Sequence, residues 1–354
     1  MKTNTFYFIA IPFIFGIFLA ENCTFLKVSP WATCRWTCLC LALGLMFFCT
    51  FRKNSWISAT LIFAATGILT SCTHRLSYVQ FGTPAFIGEW LSALKNLIIG
   101  LPLKSENVKN LLLALVAADR SGLPTDIQNA FRSSGAAHLL ALSGLHLGVI
   151  SGALNTILKL FGNSRAAILS RSLIIVIFSG LYTLVCGAGA SLVRAFLFIT
   201  FSAIALRFPH RRSNPATILL LSACIQLSFS PSSINSLSFQ LSYLACIGII
   251  FFNQGMQSWF SGTGPTKKIW NSISMSLSCQ LTTAPLVWLR FKTLPKYFLL
   301  TNLLSLPVCE LLIIASMAAI TASALGVSPK ALCMLCDFLG NLLIQILQII
   351  SSIP

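Results

Sequence analysis

Charge is what this sequence has least of. Asp, Glu, Lys and Arg make up 9% of its 354 residues, against roughly 25% in an ordinary soluble domain. With a mean hydropathy of +0.85, that scarcity excludes a soluble globular protein and points to an integral membrane protein. Acid is scarcer than base: seven Asp and Glu stand against 24 Lys and Arg, for a net charge of +17. No P-loop, GxGxxG or HExxH pattern occurs, so neither a nucleotide-driven motor nor a zinc protease of that type is encoded. No cofactor or metal is expected. Internal repeats and low-complexity segments are also missing, and no stretch remains for a large soluble enzyme domain.

Apolar sequence is what the chain has in quantity, at 56% hydrophobic residues. Apolar runs lie at about 6–20, 36–50, 56–72, 136–160, 167–186, 189–206, 215–230, 237–253, 269–289, 297–325 and 331–351. They predict an all-α polytopic transmembrane bundle of about 11 spans. Lipid offers backbone amides no partner, and the runs are too long and too uniformly apolar for barrel strands. The first run lacks a small-x-small cleavage site and reads as a retained span. Pro307 predicts a break or a re-entrant turn in its run.

Three intervals follow: N-terminal spans over 1–72, a polar extracytoplasmic segment over 73–135, and a transmembrane core over 136–354. Within the polar segment a helix is predicted at about 105–118. Val108, Leu111, Leu112, Leu115 and Val116 share one side of it, and that side rests either at the interface or on the bundle. With Met1 inside, the cytoplasmic short loops hold 12 Lys and Arg and the opposite ones 5, which satisfies the positive-inside bias. Arg290, Lys292 and Lys296 go against it. Much of the excess base therefore reflects topology.

Most cysteines lie in or beside apolar runs and act as small hydrophobes. That includes the CxxC of Cys333 and Cys336, which has no second pair or histidine near it in the sequence. Cys23 and Cys34 share an outer loop and are the better disulfide candidates.

The densest polar pattern is at 135–152. On one continuous helix Gly144, Gly148 and Gly152 form a small-residue stripe for close helix packing. His138, Ser143 and His146 fall on the opposite flank. Three readings of that flank stay open: interhelical hydrogen bonding, the wall of a polar pathway, and a serine-histidine hydrolase using Ser143. Arg194 is a strong base within a predicted span, where it either snorkels to the outer interface or meets a phosphate or carboxylate. Gln240 and Asn302 are further hydrogen-bonding groups in apolar runs.

Five blocks, in this order, resemble the ComEC family of bacterial competence proteins. They are LALVAADR at 113–120, FRSSGAAHLLALSGLH at 131–146, SLVRA at 191–195, FQLSYLA at 239–245 and the stretch at 302–307. The resemblance covers about 105–325. It implies an inner-membrane channel that passes single-stranded DNA into the cytoplasm during natural transformation. It further implies a DNA receptor, a separate nuclease and a cytoplasmic helicase-like motor as partners, and a homo-oligomer as one form. Under that reading Arg194 attracts phosphate near the outer mouth, and His138, Ser143, His146, Gln240 and Asn302 form a polar wall. Family members commonly carry an oligonucleotide-binding-fold domain before this core and a metallo-β-lactamase-like domain after it. These 354 residues hold neither, and HxHxDH is missing among their four histidines, so nuclease activity is not expected of them. A transporter or lipid-handling permease of the same fold is the alternative.

Overall fold

The computed structural model describes residues 4–23, 37, 41, 55–76, 85–140, 143–205, 214–292 and 294–353. Every regular element among them is helical. In chain order these are α1 (Asn4–Asn22), α2 (Ser55–Leu76), α3 (Ala85–Ile99), α4 (Glu106–Ala117), α5 (Thr125–Ser133), α6 (Ala137–Leu140), α7 (Gly144–Leu158), α8 (Arg165–Val185), α9 (Ala190–Ala205) and α10 (Pro215–Phe229). Then follow α11 (Leu237–Gly248), a π-helical turn at Ile249–Asn253, α12 (Gln254–Ser258), α13 (Pro265–Phe291), α14 (Phe298–Ala324) and α15 (Lys330–Ser351).

Among the described residues, five stretches are long and apolar enough to cross a bilayer: Gly144–Phe161, Arg165–Val185, Leu237–Ser258, Phe298–Ala324 and Lys330–Ser351. α1, α9 and α10 are shorter and apolar. This is an all-α membrane protein. The predicted run at 36–50 and the Cys23 to Cys34 pairing fall largely outside the described residues. Large side chains such as Leu173, Ile177 and Phe338 stay exposed on the long helices, where hydrocarbon rather than water is the natural neighbour.

Two compact units divide the chain, Met1–Gly82 with Ile204–Tyr243, and Thr83–Ala203 with Leu244–Pro354. In the first, α1 and α2 touch backbone to backbone. A Cβ at Gly16 would collide with the Ala64 carbonyl, and one at Gly67 with the Phe13 carbonyl. Glycine removes the side chain that would hold the helices apart. Beyond that seam, Arg75 Nη2 lies 3.0 Å from Glu21 Oε1 and donates to the Ala20 carbonyl at 2.8 Å, while the Ser71 hydroxyl donates to the same carboxylate.

The second unit is built around α14 and α15, with α4 and α5 packed on them. Val108, Leu111, Leu112, Leu115 and Val116 are fully buried, so the apolar side of α4 rests on other helices. Gly340 on α15 makes room for Val108, whose Cγ1 would be 2.7 Å from a Cβ there. Ser105 caps α4, and Asp337 on α15 accepts from the amides of Lys104 at 2.8 Å and Ser105 at 3.2 Å. These bonds tie the polar interval to the late helices, which explains why the compact units ignore the composition boundary at 135. Cys333 and Cys336 are buried in the same core.

Candidate functional site

The predicted run at 136–160 is not one helix. α6 ends at Leu140 and α7 begins at Gly144, with Ser143 in extended geometry as its N-cap (φ −113°, ψ 166°). Ser-Gly-Leu-His supplies a capping box in which histidine takes the place usually held by Glu or Gln. The single helical wheel that set His138, Ser143 and His146 on one flank is therefore corrected. Serine prefers to end a helix because its hydroxyl competes for backbone groups.

At this cap Ser143 N donates to His146 Nδ1 at 3.2 Å, and the Ser143 hydroxyl lies 2.8 Å from the same nitrogen. Because Nδ1 accepts from an amide, the ring proton sits on Nε2. His146 is fully buried, and among the described residues Nε2 has no hydrogen-bond partner. Such an orphan donor is costly in an apolar interior, so it stands out from a side chain placed only for packing.

Arg194 meets this helix start. The turn at Gly187 and Ala188, both at positive φ, precedes α9 and sets Arg194 near its beginning. The half-buried guanidinium donates through Nη1 to Cys246 Sγ on α11. Its Nη2 would lie 2.7 Å from a Cβ at Gly144, and Ala195 Cβ would lie at 3.1 Å. Gly144 thus lets the cation lie against the first turn of α7. A helix N-terminus carries about half a positive charge. Two positive features converge here.

Gly148 and Gly152 are exposed, and a Cβ at either would meet no described atom within 4 Å. Of the predicted stripe, Gly144 is the member with a described side chain at close range. Close approaches occur instead at Gly16, Gly67, Gly340 and Gly248, where a Cβ would strike the Ser278 carbonyl.

The remaining assigned groups are dispersed. His138 is exposed on α6 with Nδ1 3.1 Å from the Gly135 carbonyl. Gly135 turns the chain at φ 87°, and Thr301 on α14 fastens it by donating to the Ser134 carbonyl at 2.7 Å. One residue on, Asn302 Oδ1 is buried with no partner among the described residues. Gln240 belongs to the first unit, where its amide donates to the Ile234 carbonyl at 2.9 Å and closes the turn into α11. Sequence reasoning passed over Glu310, a half-buried carboxylate within the α14 span. A lone acid in an apolar run was the available signal.

A competence protein sequence profile matches residues 115–354, two thirds of the chain. The chain belongs to the competence protein family. ComE operon protein 3 of Bacillus subtilis (strain 168) is 28% identical over 194 residues, which is 55% of this chain and 24% of that relative. The match thus spans about a quarter of the relative's length. No solved structure matches. The block at 131–146 that carries the family resemblance contains the α7 cap, so the geometry above lies within the competence region. LALVAADR has a structural role. Asp119 accepts from Lys95 Nζ at 2.6 Å and from the Ser121 amide and hydroxyl at 3.0 and 2.6 Å, joining α3 to the turn after α4.

Proposed function

We propose that this competence protein forms the membrane core of a channel that passes single-stranded DNA inward during natural transformation. The observation that carries the reading is the junction at α7: an interrupted helix start, the Arg194 guanidinium against Gly144, and the unpartnered Nε2–H of buried His146. Broken helices in transport proteins direct half-helix N-termini at anionic groups. A phosphodiester offers one negative charge and acceptor oxygens, which is what a guanidinium and an imidazole N–H require. One such site is weak enough to release each phosphate as the next arrives, a condition for conduction. Asn302 and His138 extend the polar lining.

Under this reading the chain sits in the bacterial inner membrane with Met1 cytoplasmic and Arg194 toward the outer mouth. A receptor delivers DNA, a separate nuclease leaves one strand, and a cytoplasmic helicase-like motor supplies the pull; homo-oligomers are one arrangement.

The 2.8 Å contact between the Ser143 hydroxyl and His146 favours a second reading, an intramembrane hydrolase. In a catalytic triad the second ring nitrogen is oriented by a carboxylate; here it has no partner. A fluorophosphonate probe should leave Ser143 unlabelled.

Entry of labelled DNA into a deletion strain carrying variants tests the channel. Arg194→Gln should cut entry about tenfold or more, the scale of one charged hydrogen bond, while membrane abundance stays near wild type. Arg194→Lys should recover part of the loss. Normal entry by Arg194→Gln at normal abundance would sink the assignment.

A further inference from the structure

Arg290, Lys292 and Lys296 break the charge bias of the short loops, and the structure shows what lies beside them. All three are exposed, and among the described residues none has a carboxylate within ion-pair distance. Next to them in the second unit runs an open groove of about 630 Å³, within the range that takes small-molecule-sized ligands. Leu277, Leu281, Ala284 and Trp288 of α13 form one wall, with Met256 of α12 and Leu294 completing it. Lys292 Nζ lies 4.9 Å from the centroid of the Trp288 ring. The Lys292 charge therefore sits at one end of the groove, and the lining beyond it is apolar except for Gln280.

Length decides what fits. Leu277 and Trp288 are eleven residues apart on one helix, about 16 Å at ~1.5 Å per residue. One leaflet of hydrocarbon is about 15 Å deep, half of a ~30 Å core. Tryptophan and lysine at the end of a helix mark headgroup level. A groove running from that level to about the bilayer midplane matches one acyl chain of one leaflet. An apolar slot alone would accept any lipid tail, but the Lys292 ammonium against Trp288, with Arg290 and Lys296 within four positions of it in the chain, favours a negative head.

We propose that this groove holds one phospholipid with an anionic headgroup, its tail along α13 and its phosphate at Lys292, with Arg290 and Lys296 adding to the local field. The three cations that violate the positive-inside bias are then a lipid site rather than a topology signal. Nothing in this inference depends on the DNA reading.

The full chain, purified into nanodiscs of mixed phosphatidylglycerol and phosphatidylcholine and released into a native mass spectrometer, reports which lipid stays bound. Wild type should retain one phosphatidylglycerol in preference to phosphatidylcholine. Each of Arg290→Gln, Lys292→Gln and Lys296→Gln should lower that preference up to about fivefold, the factor for one cation near a lipid surface. Ala284→Phe, which narrows the slot, should lose both lipids with the melting temperature little changed. Equal retention of the two lipids by wild type, no retained lipid, or a preference unchanged in the triple glutamine variant would each overturn the proposal. The readout involves no DNA, so a failed uptake experiment leaves this one intact.

Discussion

At the scale of single residues, glycine at 144 and glycine at 148 have opposite expectations although four positions separate them. Gly144→Leu places a side chain where Arg194 Nη2 and Ala195 Cβ already lie. Overpacking of this kind costs about 1–3 kcal/mol, so membrane abundance and the melting temperature should fall. Gly148→Leu enters open space and should leave both near wild type; immunoblotting of membranes with thermal unfolding in detergent checks the pair. Asp119 gives a pH-dependent case. The hydrogen bond from Lys95, helped by Ser121, holds its carboxyl well below the usual carboxylate range. A carboxyl with a depressed folded-state pKa contributes stability above its unfolded value, near 3.9, and that contribution fades as pH falls through the folded value. Asp119→Asn should therefore melt lower at neutral pH, by on the order of 1 kcal/mol for a partly exposed pair. The gap should close only in strong acid. A gap independent of pH would remove the ion pair as its cause.

Between elements, the tightest seam joins α1 and α2. Gly67→Val would push a branched side chain into the Phe13 carbonyl. Relief demands that the helices separate, which also pulls Glu21 away from Arg75 and Ser71. Loss of a partner from such a partly buried pair costs up to about 3 kcal/mol. The variant should thus accumulate far less than Gly148→Leu, and a cysteine crosslink between the two helices should weaken. The α4 helix shows the complementary case. Its apolar side was legible from spacing, whereas its partner was not, since Val108 meets Gly340 across 232 positions of chain.

For the whole molecule, loop charge makes a definite expectation about orientation. A phosphatase fused at Gly122, in the turn between α4 and α5, should be active, and one fused at Asn214, before α10, should be inactive. Activity at both sites would overturn this orientation and with it the placing of Arg194 at the outer mouth. Treating Arg290, Lys292 and Lys296 as a lipid site strengthens the expectation, because the remaining short-loop base then lies more clearly on one side.

Membrane residence, helical class and family were determined by the sequence alone, because hydrocarbon permits few backbone solutions and a long apolar run satisfies its own amides locally. The same holds for the caps: Ser143 and Ser105 are local signals, although the unbroken hydrophobicity around Ser143 hid the first. Contacts between distant positions were decided only by tertiary structure. Which glycines meet a neighbour depends on which helix is adjacent, and Gly144 but not Gly148 has Arg194 beside it. Pattern within one helix cannot supply that, since a stripe of small residues permits close approach without specifying what approaches. The orphan Nε2 of His146 is of the same kind, because a missing hydrogen bond is a property of everything packed around an atom.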